Sequence, residues 1–91
     1  MELKNQNICR MISEGRLEEA VRALSAEIDS TPVSAALLLE RGKLLWRLGR
    51  RAAASSDYAR AAAIDPSGPA AELLAHARDI ENFYNPDIYN P

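Results

Sequence analysis

Four positions of this chain recur at a single interval, and that interval decides what the chain can fold into. Gly15 and Gly49 lie 34 residues apart (49 − 15 = 34), and the same offset separates Ala20 from Ala54, Leu24 from Tyr58 and Pro32 from Pro66. The neighbours repeat in character too. Glu14-Gly15-Arg16 is matched by Leu48-Gly49-Arg50, and Ile28-Asp29 precedes its proline much as Ile64-Asp65 does. A fixed period of this length marks copies of one supersecondary unit, each burying its apolar face on the next.

Each copy reads as two helices. Leu3, Ile8, Met11 and Ile12 fall at helical spacing, and Gly15 then supplies the left-handed residue that closes a helix. Leu17, Val21, Leu24 and Ile28 form a second stripe of period three to four that stops before Pro32. In the second copy Leu38, Leu39, Leu45, Trp46 and Leu48 lead into Gly49. Ala53, Ala54, Tyr58, Ala61, Ala62 and Ile64 then lead into Asp65-Pro66. No segment alternates with period two, so the expected class is all-α, without strands.

The spacing resembles the tetratricopeptide repeat (TPR) family, whose unit is a 34-residue antiparallel helix pair. Repeat one counts from Met1 (about 1–34) and repeat two from Ala35 (about 35–68). Repeat two carries the family pattern: Gly42 at the small position of the first helix, Gly49 at the turn, then Ala54, Tyr58 and Ala61, and Pro66 at the end. Small residues there let two helices approach, while large ones fill the space between units. Repeat one departs from the pattern, with Ile8 where repeat two has Gly42 and Glu27 where it has Ala61. The resemblance covers roughly residues 1–80 and implies a right-handed α-solenoid of two helix hairpins plus a closing helix. That makes five helices in one domain over 1–84, followed by a tail at 85–91.

The closing helix, about 69–84, starts at Gly68-Pro69, where proline suits a first helical turn. Positions that are Leu38, Gly42 and Leu45 in repeat two become Glu72, His76 and Asp79 here, so one face turns polar. The flank of Leu73, Leu74, Ala77 and Ile80 stays apolar and can cover the preceding pair. On this reading His76, the one histidine, is an exposed residue with Glu72 one turn before it. The last nine residues, Phe83 to Pro91, hold three of the five aromatic residues and contain Tyr-Asn-Pro twice. They either dock on this chain, dock on a second copy or a partner, or fray.

Family ligands lie along a concave face lined by the first helix of each unit. The resemblance puts Leu39, Lys43, Trp46 and Arg47 there from repeat two, and Asn5, Cys9, Ile12 and Ser13 from repeat one. From the closing helix it puts Leu73, Ala77, Ile80 and Glu81 there. The implied site is an apolar groove with a two-cation border. Trp46 is its candidate anchor, though a core position suits Trp46 equally well. Lys43 and Arg47 would hold a carboxylate or a peptide backbone. The family's clamp for acidic chaperone tails is not expected, because Asn5, Cys9 and Glu40 stand where its ligand-holding residues would be. The expected partner is a peptide or helix of an unidentified protein. The alternative is a homodimer in which another copy uses the groove or the tail. Arrays of this kind usually need three or more repeats, which favours some such support.

Composition narrows the function further. Ninety-one residues with 47% hydrophobic and 26% charged side chains and a net charge of −2 describe one small globular domain. The longest uncharged run, Ser30 to Leu39, is far short of the roughly 18 apolar residues of a membrane span. The start, Met1 to Asn7, lacks the apolar core of a secretory signal, so the cytoplasm is the default location. A slightly acidic chain argues against nucleic-acid binding. Its densest basic group, Arg41, Lys43, Arg47, Arg50 and Arg51, reads as the solvated side of a helix and the turn after it. Cys9 is the single cysteine, which excludes an internal disulfide, and it reads as a small half-buried hydrophobe. No enzyme activity, metal or cofactor is expected: Cys9 and His76 fall at opposite ends of the array, the carboxylates are scattered, mostly at helix surface positions, and no glycine-rich phosphate loop exists.

Overall fold

The computed structural model describes residues 6–84, and side chains over 7–80. The expectations for Leu3, Asn5 and the tail 85–91, and for the side chains of Glu81, Phe83 and Tyr84, lie outside the described residues. Five helices follow in order: α1 (Gln6–Ser13), α2 (Leu17–Ser30), α3 (Ala35–Arg47), α4 (Arg51–Ile64) and α5 (Ala70–Tyr84). There is no strand among the described residues. The helix ends repeat as the residues do. Both 51 − 17 and 64 − 30 equal 34, so α4 starts and stops in register with α2.

The two glycine turns close in the same way. Gly15 and Gly49 have φ of +79° and +82°, a conformation that glycine adopts without penalty. After α1, Arg16 N–H donates to the Met11 carbonyl at 2.8 Å and Gly15 N–H to that of Ile12 at 3.1 Å. After α3, Arg50 N–H donates to Leu45 at 2.9 Å and Gly49 N–H to Trp46 at 3.0 Å. This paired closure satisfies helix-end carbonyls and swings the chain back against the helix it has just left. Helix α3 starts on Ser34, whose hydroxyl accepts from Leu37 N–H at 3.2 Å, a cap worth about 1 kcal/mol.

Each helix packs mainly on its neighbours in the chain, and α3 on α4 most extensively. One core cluster gathers Ile8, Ala20, Leu24, Ile28, Leu37, Leu38, Leu44 and Ala61, and a second gathers Leu45, Ala54, Tyr58 and Ala77. Helices α3 and α4 run antiparallel: Leu38 clusters with Ala61, Gly42 meets Tyr58, and Leu45 clusters with Ala54. A Cβ on Gly42 would lie 2.7 Å from Tyr58 Cε1 and 3.3 Å from Asp57 Cβ, so only a hydrogen fits there. In the first pair the equivalent positions hold Ile8 and Leu24, 1% and 0% exposed. The bulk has changed sides. Where the second helix carries leucine instead of tyrosine, the first has room for isoleucine, which explains the departure of Ile8 from the repeat pattern.

Helix α5 divides as its sequence implies. Ala77 is buried, Leu73, Leu74 and Ile80 are half-buried, and Glu72, His76 and Asp79 are exposed. Among the described residues, no helix is long and apolar enough to cross a membrane.

Candidate functional site

Leu39, Lys43, Trp46 and Arg47 stand at i, i+4, i+7 and i+8 on α3, which puts them on one helical face. Leu73, Ala77 and Ile80 repeat that spacing on α5. The fold brings part of the two rows together at two recesses, while Lys43, Arg47 and Ile80 line neither of them. Trp46 lines a recess of about 60 Å³ with Tyr58, Leu73, His76 and Ala77. Leu39 lines a second, of about 270 Å³, where Ala35 and Ala36 of α3 approach Pro69 and Ala70 at the start of α5. Both recesses lie between α3 and α5, and Tyr58 and Ala61 of α4 form part of their walls.

Leu39, Trp46, Leu73 and Ile80 are half-buried, whereas Lys43 and Arg47 are exposed. Trp46 is therefore not sealed in the core. It packs against the second cluster and keeps an open flank, with the Arg51 guanidinium 5.3 Å from its ring centroid. Lys43 reaches Glu40 at 3.5 Å. An exposed pair of this kind is worth at most about 1 kcal/mol, so Lys43 can exchange it for another carboxylate. Among the described residues Arg47 makes no ion pair.

From α1, Ile12 packs half-buried against the first cluster, and Ser13 is exposed. Cys9 corrects the sequence reading: it is exposed, not half-buried. Its neighbour Ile8 takes the core side of α1, and a step of about 100° carries Cys9 away from it. His76 is exposed as expected, yet it also forms part of the recess beside Trp46.

A second correction concerns Arg41 and Asp57. The sequence placed Arg41 on a solvated helix side and most of the carboxylates on helix surfaces. Instead Asp57 is 3% exposed and takes a two-pronged contact from Arg41, with Nε to Oδ2 and Nη2 to Oδ1 both at 2.7 Å. Arg41 Nη1 also donates to Ser25 Oγ at 3.1 Å, and that hydroxyl donates to the Val21 carbonyl at 2.8 Å. One chain of hydrogen bonds thus ties α2, α3 and α4. Hydrogen bonding to Asp57 holds the Arg41 guanidinium charged against the opposing effect of its burial. Burial pushes the Tyr58 phenol above its ordinary range, and the neighbouring Asp57 charge adds to the rise.

Two other cations of the basic group are also engaged within the chain. Arg50 pairs with Glu18 of α2, and Arg51 lies over Trp46. Comparison with protein-family models, with curated proteins and with solved structures finds no match for this chain.

Proposed function

We propose that this chain is a TPR-type protein-interaction module without catalytic activity of its own. Its two 34-residue hairpins and closing helix stack as a short right-handed solenoid. The seam between α3 and α5 receives a peptide or helix of a partner protein. Leu39, Trp46, Leu73 and Ile80 provide the apolar contact, while Lys43 and Arg47 hold a carboxylate or backbone carbonyls. The observation that carries this reading is the half-buried Trp46, open to a recess instead of closed into the core. An aromatic ring in that position contributes much apolar area to an interface. Two cations of the basic group, Arg41 and Arg50, are paired with carboxylates inside the chain, and the net charge is −2, which favours a protein partner over nucleic acid. The exposed thiol of Cys9 suits a reducing compartment such as the cytoplasm.

Affinity capture from the source cell tests the site. Trp46→Ala and a Lys43→Glu, Arg47→Glu double substitution are each expected to lose at least one protein that the parent chain retains. Trp46→Ala is expected to cost about tenfold or more in affinity for that protein, the usual effect at an aromatic anchor. If both variants retain every captured protein, the seam is not the binding face. A stable dimer in light scattering, with Trp46 protected from quenchers, would assign the seam to a second copy instead.

A further inference from the structure

The recess beside Trp46 lies at one end of the α3–α5 seam, and the fold sets which part of the chain is nearest to it. Ala70, at the start of α5, meets Ala35 and Ala36 at the start of α3. Ala77 clusters with Leu45 and lines the recess with Trp46, near the end of α3. The two helices therefore run parallel, and α5 continues to Tyr84, seven residues past Ala77 (84 − 77 = 7). At a rise of about 1.5 Å per residue, Tyr84 lies about 10 Å beyond the recess wall at Ala77.

Residues 85–91, Asn85-Pro86-Asp87-Ile88-Tyr89-Asn90-Pro91, follow and lie outside the described residues. A proline two residues after Tyr84 cannot extend the hydrogen-bonded ladder of α5, and it biases the residue before it toward extended or turn geometry. From Tyr84 an extended chain reaches at most about 13 Å at Ile88 and about 17 Å at Tyr89. Both distances exceed that to the Trp46 recess and leave a few ångströms for a reversal. Neither residue reaches the Ala70 wall of the Leu39 recess, about 21 Å back along α5.

The wall chemistry suits what this segment carries. Trp46, Tyr58, Leu73, His76 and Ala77 enclose about 60 Å³, room for the tip of one side chain and not for a helix face. Ile88 and Tyr89 are the two large apolar side chains of 85–91. A tethered segment meets the recess at an effective concentration on the order of millimolar, above what a free second copy supplies in dilute solution.

From reach and wall chemistry together we propose that the segment after α5 turns back and covers the Trp46 recess with Ile88 and Tyr89 of the same chain. The inference rests on the seam being the binding face. A partner then has to displace the segment from the Trp46 end, whereas the Leu39 end stays open to it. The partner's apparent affinity falls by the fraction of molecules whose recess is uncovered.

The test uses the full chain and its Ile88→Ser, Tyr89→Ser double variant. In the parent chain, nuclear Overhauser cross-peaks are expected from the Trp46 indole to the Ile88 methyls and the Tyr89 ring. They should persist at unchanged intensity per molecule on dilution, and be absent from an isotope-filtered spectrum of mixed labelled and unlabelled chains. In the double variant, acrylamide quenching of Trp46 is expected to rise about twofold as the cover is lost. The amides of Trp46, Leu73 and Ala77 should shift, while those of Ala36 and Gly68 stay in place. Equal quenching of the two chains, or the absence of cross-peaks between Trp46 and the segment, overturns the proposal. Cross-peaks that appear in the isotope-filtered spectrum overturn it in favour of a second copy. If Trp46 still contacts Leu73 and Ala77 in those cases, this inference alone fails. If those contacts are missing too, the seam fails with it.

Discussion

Asp57→Ala is expected to lower the melting temperature of this chain by about 10–20 °C. The substitution leaves the half-buried Arg41 guanidinium without its two-pronged acceptor, and uncompensating one member of a buried pair removes about 3 kcal/mol. In a domain of this size each kcal/mol moves the midpoint by about 4–8 °C. Alanine's better helical preference returns only about 0.5 kcal/mol of that loss. Replacing both partners gives a different result. Arg41→Met with Asp57→Leu is expected to melt within a few degrees of the parent chain, because an apolar pair fills the same space with no charge left over. Thermal unfolding followed by circular dichroism at neutral pH measures all three chains. A double variant that melts as low as Asp57→Ala would show that the ion pair is itself the stabilising element.

Gly42→Ile is expected to lose about 3 kcal/mol, read as a lower urea midpoint. The new side chain enters the space held by the Tyr58 ring, which is 4% exposed and whose Cε1 would already lie 2.7 Å from a single Cβ. The gain in helical preference on replacing glycine is smaller than that overlap. Adding Tyr58→Leu recreates the arrangement of Ile8 and Leu24 in the first pair, where both side chains are buried. The double variant is therefore expected to recover more than half the loss, with a coupling of at least about 1 kcal/mol between the sites. Strictly additive losses would mean that α3 and α4 do not meet at these two residues.

The helix ends were legible in the sequence because they are decided locally. Gly15 and Gly49 take the left-handed conformation at which each first helix closes. The polar turn of α5 was legible because Glu72, His76 and Asp79 replace apolar or small residues at known phase. Two local preferences misled. Cys9 is small and weakly polar, which argues for burial, but the phase set by Ile8 turns it to solvent. Arg41 and Asp57 are 16 residues apart and carry opposite charges that look like ordinary surface residues. A signal for Asp57 did exist. It shares the stripe of Ala54, Tyr58 and Ala61 at helical spacing, and a carboxylate on that buried stripe requires a partner.

The repeat resemblance names Leu39, Lys43, Trp46 and Arg47 for a groove, and their spacing on α3 places them on one helical face. Whether Trp46 was core or surface could not be read, because the residues across from it, Leu73 and Ala77, come from α5, beyond the whole of α4. Only the packing of α5 leaves a recess there. The inclusion of His76 in its wall has the same origin.

The placement of Trp46 is also the most direct point of attack. It is the one tryptophan of the chain, so its indole signals are assignable without mutation. A two-dimensional nuclear Overhauser spectrum should connect the indole protons to the methyl groups of Leu73 and Ala77. Indole cross-peaks confined to α3 and α4, with none to α5, would contradict the seam and the binding role proposed for it.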